Sequence, residues 1–338
     1  MVSAASIFKH LDRSRFDAVP IRIDKDGRWV LTGKAPTALA AAEVTSQDTG
    51  ALRSVEPTAA IGSGVDVIFP VLHGPYGEDG TVQGLLELLN IPYVGAGVLG
   101  SAVSMDKAVM KKLFAFHGLP MVPHITVVRR EWERDPREVT TKVARDLRYP
   151  VFVKPANLGS SVGISKATSD AELADAIRMA LQYDRKTVIE AAVPNTREIE
   201  CAVLGNDEPD ASVPGEIIVT HRDGFYSYDA KYIDPDGASW KIPADIPVET
   251  AERVRRLSVE AFRALELSGM ARVDFLLDGE TGALYLNEAN TIPGFTAISM
   301  YPKMWEASGL TYPDLIARLI DLALERHAEK QRLRTSIT

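Results

Sequence analysis

Residues 271–294, ARVDFLLDGETGALYLNEANTIPG, constrain the fold more than any other stretch of the chain. Two runs of alternating apolar and polar residues flank the turn sequence DGETG, which predicts a β-hairpin. If Leu277 pairs with Ala283, even-numbered residues of both strands share one face, because side chains alternate along a strand. Arg272, Asp274, Glu288 and Asn290 then point one way, while Val273, Phe275 and Leu277 point into a core. Two carboxylates, an amide and a guanidinium on one face are costly unless something neutralises them. A divalent cation does so, and magnesium takes hard oxygen ligands, few of them carboxylates, the rest from water and substrate phosphates. The plainer alternative is a solvated face with a surface ion pair. NEAN followed by TIPG favours the metal reading, since two oxygen ligands at i and i+2 precede a tight glycine turn.

The remainder alternates β-branched runs with amphipathic stretches, the pattern of α/β and α+β proteins. Strands are predicted over 65–73, 124–128, 149–154, 187–190 and from 198 to 205. Helices are predicted over 81–90, 104–116, 170–181 and 249–265, the last with Val254, Leu257, Ala261 and Leu265 along one face. A length of 338 residues suits two or three domains, with boundaries near residues 95 and 190. Residues 221–243, HRDGFYSYDAKYIDPDGASWKIP, have neither periodicity and are rich in Gly, Asp, Pro and aromatics, which suits a lid or binding loop.

Two further loops carry chemistry. KPANLGSSVGI (154–164) places Lys154 at a strand end before glycines and serines whose backbone N–H groups suit phosphate oxygens; a plain Gly/Ser turn is the alternative. HGPYGEDGTVQG (73–84) precedes a helix N-terminus and suits an anionic group such as a carboxylate. On the plainer reading His73 is a capping or core histidine, and Glu78 and Asp79 are helix N-terminal charges. GAGVLG (95–100) matches G-x-G-x-x-G, but the run before it is short and no acidic residue stands about 20 positions on, so a dinucleotide is not expected. The chain has no G-x-x-x-x-G-K-[ST], no zinc-type cluster and no G-x-S-x-G elbow.

Charge and cysteine usage narrow the setting. Lys and Arg number 38 against 46 Asp and Glu, a net charge of −8, which argues against nucleic-acid and anionic-membrane partners. The single cysteine, Cys201, excludes an internal disulfide framework, fits a reducing compartment and reads as core packing. No apolar stretch reaches the ~18 residues of a membrane span. MVSAASIFKHLD lacks the layout of a signal peptide, so a cytoplasmic protein is expected.

HGPYGEDGTVQG, GVLGSAVSMDK (97–107), KPANLGSSVG, YDAKY (228–232), ARVDF and NEANTIPGFTAISM (287–300) occur in the order found in one family. With them the chain resembles the D-alanine–D-alanine ligases of the ATP-grasp superfamily, from about residue 65 to 320. The resemblance implies a three-domain ATP-grasp fold, α/β and α+β. Residues 1–95 would be a Rossmann-like substrate domain, 96–190 the central subdomain, and 191–338 the C-terminal subdomain with lid loop 221–243. ATP would lie between the antiparallel sheets of the last two.

Carried over residue by residue, the resemblance assigns Lys107 and Lys154 to the ATP phosphates, with Lys231 reaching them from the lid. Glu190, Ala191, Ala192 and Val193 would form the hinge that reads adenine, and Glu198 would hold the ribose hydroxyls. Asp274, Glu288 and Asn290 would bind two magnesium ions, replaceable by manganese, with Glu288 bridging. Ser160 and Tyr232 would orient the first D-alanine, and Ser299 and Met300 would contact the carboxylate of the second. His73 and Glu78 fall in the substrate loop of the first domain. Arg272 and the Gly294 amide would stabilise negative charge at the reacting carboxylate. The implied reaction joins two D-alanines through an acylphosphate for peptidoglycan synthesis, in a cytoplasmic homodimer. Tyr232 favours an amide over an ester product.

One departure stands out. The family opens with a strand, a Gly-rich loop and a Glu ahead of a V-S-x-x-S-A run, whereas this sequence starts at MVSAAS. A start codon placed too far downstream is the expected explanation, and a truncated paralogue the other. The alternatives for function are accordingly another ATP-grasp carboxylate–amine ligase, a D-alanine–D-lactate ligase, or a non-catalytic ATP-binding protein.

Overall fold

The computed structural model describes residues 2–23, 29–32, 52–55, 64–220, 238–296 and 298–334. Most of the proposed lid, Lys231 and Tyr232 included, lies outside the described residues. The first region contains helix α1 (Val2–His10) and the strands β1 (Ile21–Ile23), β2 (Trp29–Thr32) and β3 (Leu52–Val55), paired antiparallel in that order. The run 65–73, predicted as a buried strand, makes only one parallel bridge, Ile68 to Tyr93. Val67, Phe69 and Val71 pack into one apolar cluster and Ile68 into another with Leu86 and Tyr93. The alternation therefore does bury both faces, but a strand needs a ladder and this one is two hydrogen bonds long. Helix α2 (Thr81–Leu88) follows Gly80, whose φ of 92° suits glycine.

Where periodicity predicts one helix over 104–116, the chain forms α3 (Val98–Met105) and α4 (Lys107–Phe116). Asp106 separates them: its backbone is extended and its carboxylate accepts from the Ala108 and Val109 N–H groups. A short acidic side chain satisfies the donors orphaned at a helix start, so it favours a new helix over continuation of the old one. Lys107 thereby becomes the first residue of α4.

A four-stranded antiparallel sheet follows, built from β4 (His124–Val128), β5 (Val151–Pro155), β6 (Ser165–Ala167) and β7 (Lys186–Ala191), in the order β4-β7-β5-β6. The helices α5 (Arg129–Arg134), α6 (Pro136–Asp146) and α7 (Asp170–Tyr183) contribute Trp132, Val143, Leu173 and Ile177 to a core with Val151, Val153 and Ile189. The opposite face carries Lys154, Val188 and Glu190.

The larger sheet has the order β11-β10-β8-β12-β13, with β9 beside β8. Its strands are β8 (Thr196–Gly205), β9 (Asp210–Ala211), β10 (Gly215–Val219), β11 (Ala238–Lys241), β12 (Gly269–Asp278) and β13 (Leu284–Asn290). One face packs Ile199, Cys201, Val273, Phe275 and Leu286 against Val254, Leu257, Ala261 and Phe262 of α8 (Val248–Ala264). Burial pushes the Cys201 thiol up to about 11, which suits a packing role. The other face is split. Ala202, Leu204, Ile217 and Met270 lie under α9 (Met300–Ala307) and α10 (Tyr312–Lys330), while Glu198, Glu200, Arg272, Asp274, Glu288 and Asn290 share the remainder.

Two of the three glycines of GAGVLG, Gly95 and Gly100, serve packing. A Cβ on Gly269 would sit 3.0 Å from the Gly95 Cα, and one on Gly100 would sit 2.8 Å from the Glu266 carbonyl oxygen. Close backbone approach between distant segments therefore accounts for them. Among the described residues no helix is long and apolar enough to cross a membrane.

Candidate active site

The hairpin places its polar residues on one face by a different register from the one predicted. Leu277 pairs with Leu284, not Ala283. Continued without interruption, that register would set Asp274 opposite Asn287 and Arg272 opposite Ala289, leaving Glu288 and Asn290 on the wrong side. A bulge intervenes: Phe275 pairs with Leu286 but Asp274 with Glu288, so Asn287 is the extra residue. Arg272 then faces Asn290, and all four predicted residues share a face after all.

Two lysines approach this face. Lys107, at the start of α4, lies 3.3 Å from Glu288 Oε2 and donates to the Leu158 carbonyl of the glycine-rich loop at 2.8 Å. Lys154, at the end of β5, lies 2.6 Å from Glu190 Oε2 and donates to Asn287 Oδ1 at 3.0 Å. The bulge thus turns the Asn287 amide toward the small sheet. Asn287 was not singled out in the sequence, because a bulge residue has no periodic signature. Lys111 was missed as well. It is one turn beyond Lys107 and wholly buried, with its ammonium 2.7 Å from Glu190 Oε1 and 3.4 Å from the Asn287 carbonyl. Its spacing from Lys107 was the available clue.

Glu190 therefore does more than its predicted place in the hinge suggests. Burial alone would raise its pKa, but the Lys111 and Lys154 ammonium groups outweigh burial and hold it at about 2, against an ordinary 4.5. A depressed carboxylate stabilises the fold above its ordinary pKa, and that contribution is lost as pH falls from 4.5 toward about 2. Urea unfolding followed from neutral pH to about pH 3 should show an acid loss of stability that is smaller in Glu190→Gln. An identical acid limb in the variant would contradict the assignment. The same burial pulls the Lys111 pKa down against the attraction of Glu190, whereas at Lys154 burial is outweighed and the pKa rises.

Arg272 is held from two sides. Its Nε and Nη2 donate to the two Asp274 oxygens, each at 2.7 Å, and its Nε lies 3.1 Å from Glu200 Oε2 on the neighbouring strand. Burial works against the guanidinium charge, but Asp274 and Glu200 outweigh it and hold the pKa well above the ordinary arginine value. Glu200 is a second member that the sequence did not reveal, since only the β8–β12 pairing brings it opposite Asp274.

The glycine-rich loop closes one side. Ser160 and Ser161 both have positive φ, 56° and 59°, a left-handed conformation that costs ordinary residues about 1 kcal/mol or more each. Gly159 lies against Glu78, whose Oε2 accepts from the Gly74 N–H at 2.6 Å and whose Oε1 is 3.6 Å from His73 Nδ1. Asp79 is instead a turn residue, accepting from the Tyr76 and Thr81 N–H groups. On the far side, Ser299 Oγ accepts from the Thr296 N–H at 3.0 Å and would sit 3.0 Å from a Cβ on Gly294. The Met300 side chain is buried in the core beside Phe295 and Met304, so only its main chain, at the start of α9, is placed to meet a carboxylate.

The chain has counterparts among known proteins. Residues 113–321 match the family profile described as D-ala D-ala ligase C-terminus, and residues 1–96 match D-ala D-ala ligase N-terminus. The D-alanine--D-alanine ligase of Heliobacterium modesticaldum is 50% identical, over 98% of this chain and 92% of that protein. The chain belongs to the D-alanine–D-alanine ligase family. The corresponding enzyme of Geobacillus kaustophilus is 49% identical, with 98% and 92% coverage. The solved structure of the D-alanine-D-alanine ligase from Coxiella burnetii superposes with a TM-score of 0.84 at 37% identity, covering 98% of this chain and 90% of that one. VanG D-Ala:D-Ser ligase from Enterococcus faecalis gives 0.82 at 35%, covering 95% and 94%. The fold is the family's ATP-grasp fold, and the chain is an ATP-dependent ligase.

For a family that works on ATP, the face of β12 and β13 has the right donors for a divalent cation. Asp274 and Glu288 face each other directly, and Asn290 stands one pair along, its Oδ1 accepting from the Ile292 N–H at 3.2 Å while a second lone pair remains. Among the described residues no three His, Cys, Asp or Glu side chains form a cage on their own. Two carboxylates and an amide beside Lys107 and Lys154 fit magnesium, which takes its remaining ligands from water and phosphate.

Proposed function

We propose that the chain joins two molecules of D-alanine into D-alanyl-D-alanine with ATP, through a D-alanyl phosphate, for peptidoglycan synthesis in the cytoplasm. The observation that carries this reading is the seam between the two sheets, where Lys107 and Lys154 approach the face holding Asp274, Glu288, Asn290 and Arg272.

Lys107 and Lys154 neutralise the ATP phosphates, and the loop of Ser160 and Ser161 offers backbone N–H groups beside them. The Ala191 and Ala192 N–H groups donate to the Pro123 and Pro150 carbonyls, so the Val193 N–H and the neighbouring carbonyls are left to read adenine, with Glu198 on the ribose. Asp274, Glu288 and Asn290 would hold two magnesium ions, or manganese in their place, which supply charge neutralisation at the transferring phosphoryl group. One carboxylate oxygen of the first D-alanine bonds to the γ-phosphorus as the bond to ADP breaks. The deprotonated amine of the second D-alanine then attacks the acyl carbon, a C–N bond forms and phosphate leaves. Arg272 and the Gly294 N–H stabilise the tetrahedral oxyanion. Ser160, Tyr232, His73 and Glu78 orient the first D-alanine, Ser299 and the Met300 main chain hold the second, and Lys231 reaches the phosphates from residues 221–243.

A homodimer belongs to the same reading. Leu88 of α2 and Val98 and Leu99 of α3, two helices in contact, expose apolar side chains suited to an interface. ADP release measured with D-alanine alone, and with D-lactate or D-serine added, tests the substrates. D-alanine alone should support full turnover and yield the dipeptide; a requirement for D-lactate or D-serine at neutral pH would overturn the D-alanine assignment.

A further inference from the structure

Helix α4 presents two lysines at one-turn spacing to the seam between the sheets, and only the first is accounted for by the reaction. The Lys111 side chain is 1% exposed, so its ammonium cannot touch a ligand in the cleft. It is instead one member of a closed ring. Lys111 meets Glu190 Oε1, Glu190 Oε2 meets Lys154, Lys154 donates to Asn287 Oδ1, and the Asn287 carbonyl accepts from Lys111. The members come from α4, β7, β5 and the β13 bulge, so the ring ties the helix to both sheets at the point where the two approach. It contains two ammonium groups and one carboxylate, an excess of one positive charge, and Lys154 is the cationic member nearer the opening.

We infer that Lys111 is a positioning residue for nucleotide phosphates: by taking up one oxygen of Glu190 it leaves Lys154 part of its charge for the ligand, and it holds the Asn287 bulge against the small sheet. The inference rests on Lys154 being a phosphate lysine, as the proposed function has it. Without Lys111, Glu190 and Lys154 neutralise each other completely. The ring then has no surplus charge to offer a phosphate, although the hinge main chain at 191–193 and Glu198 are untouched. A group that only filled space would behave otherwise, because its loss would weaken every ligand together or none.

The test uses the full chain with Lys111→Met, which keeps the length of the side chain and drops its charge, and Lys111→Met/Glu190→Gln, which restores the surplus of one. Equilibrium binding of ADP and of adenosine is measured with KM for ATP and for D-alanine, below the melting temperature of each variant. Lys111→Met should weaken ADP binding and raise KM for ATP by about tenfold or more, the scale on which a charged hydrogen bond acts. Adenosine binding and KM for D-alanine should stay within about twofold in Lys111→Met, and the double variant should recover most of the ADP affinity relative to adenosine. Equal losses for ADP and adenosine, no loss in a folded Lys111→Met, or a double variant weaker than the single one would overturn the inference. If wild-type protein itself bound no ADP, the proposed function would fall, and that result is distinct from the other three.

Discussion

Replacing Glu288 with alanine should abolish turnover and leave the fold in place. The Glu288 side chain is 30% exposed and lies on the polar half of the β12–β13 face, opposite Asp274. Its removal leaves no apolar cavity, so the stability change should be within about 1 kcal/mol. Its contribution is to charge: it partners Lys107 and stands among the hard oxygens that would hold a divalent cation, the group able to neutralise a transferring phosphoryl group. A divalent ion supplies several kcal/mol of that neutralisation, so its displacement should lower kcat by about 10³-fold or more. Asp274→Ala should lose turnover to the same degree but also some stability, since Arg272 would lose the carboxylate that both its Nε and Nη2 donate to. ADP release and urea midpoints on the same preparations distinguish the two effects. Wild-type rates in either variant would remove the metal-face assignment.

Arg272→Met should be the more damaging change overall. The guanidinium is enclosed by Asp274 and Glu200, which face each other across β12 and β8. Taking it away leaves two half-paired carboxylates in a buried setting, and breaking such a pair by removing one partner costs about 3–5 kcal/mol. The proposed oxyanion position would also lose its charged donor, which is worth about 10²–10³ in kcat. Arg272→Lys keeps the charge but not the two-pronged geometry, so it should recover more stability than rate. Urea unfolding together with kcat on the folded fraction reads both. A Met variant with normal kcat would dismiss Arg272 from the reaction.

Much of the site was readable because its parts are local. Side-chain alternation marked the polar face of the hairpin, and a strand end followed by glycines and serines marked the loop proposed for phosphate. The same local reading had particular failures. It ran one helix over 104–116, through the break at Asp106, because apolar spacing continues there, and left most of α3 without a prediction; only the capping preference of Asp106 reveals the break. It predicted a strand at 65–73 from side chains alone, where the number of neighbours decides. It set the hairpin register one residue off, and reached the right face only because a bulge shifts the pairing again.

What the sequence by itself determined is the central strands and helices between residues 81 and 290, the turn that joins β12 to β13, and residue types suited to a nucleotide and a cation. These depend on contacts within a few residues, where a two- or 3.6-residue period is visible. The tertiary structure alone decided that Lys111, Lys154, Glu190 and Asn287 close a ring, and that Arg272 lies between Asp274 and Glu200. Those partners stand up to 176 residues apart, as Lys111 and Asn287 do. Their meeting depends on how two sheets and a helix pack, and charge complementarity among them appears only once burial has removed the water that would otherwise satisfy each group separately.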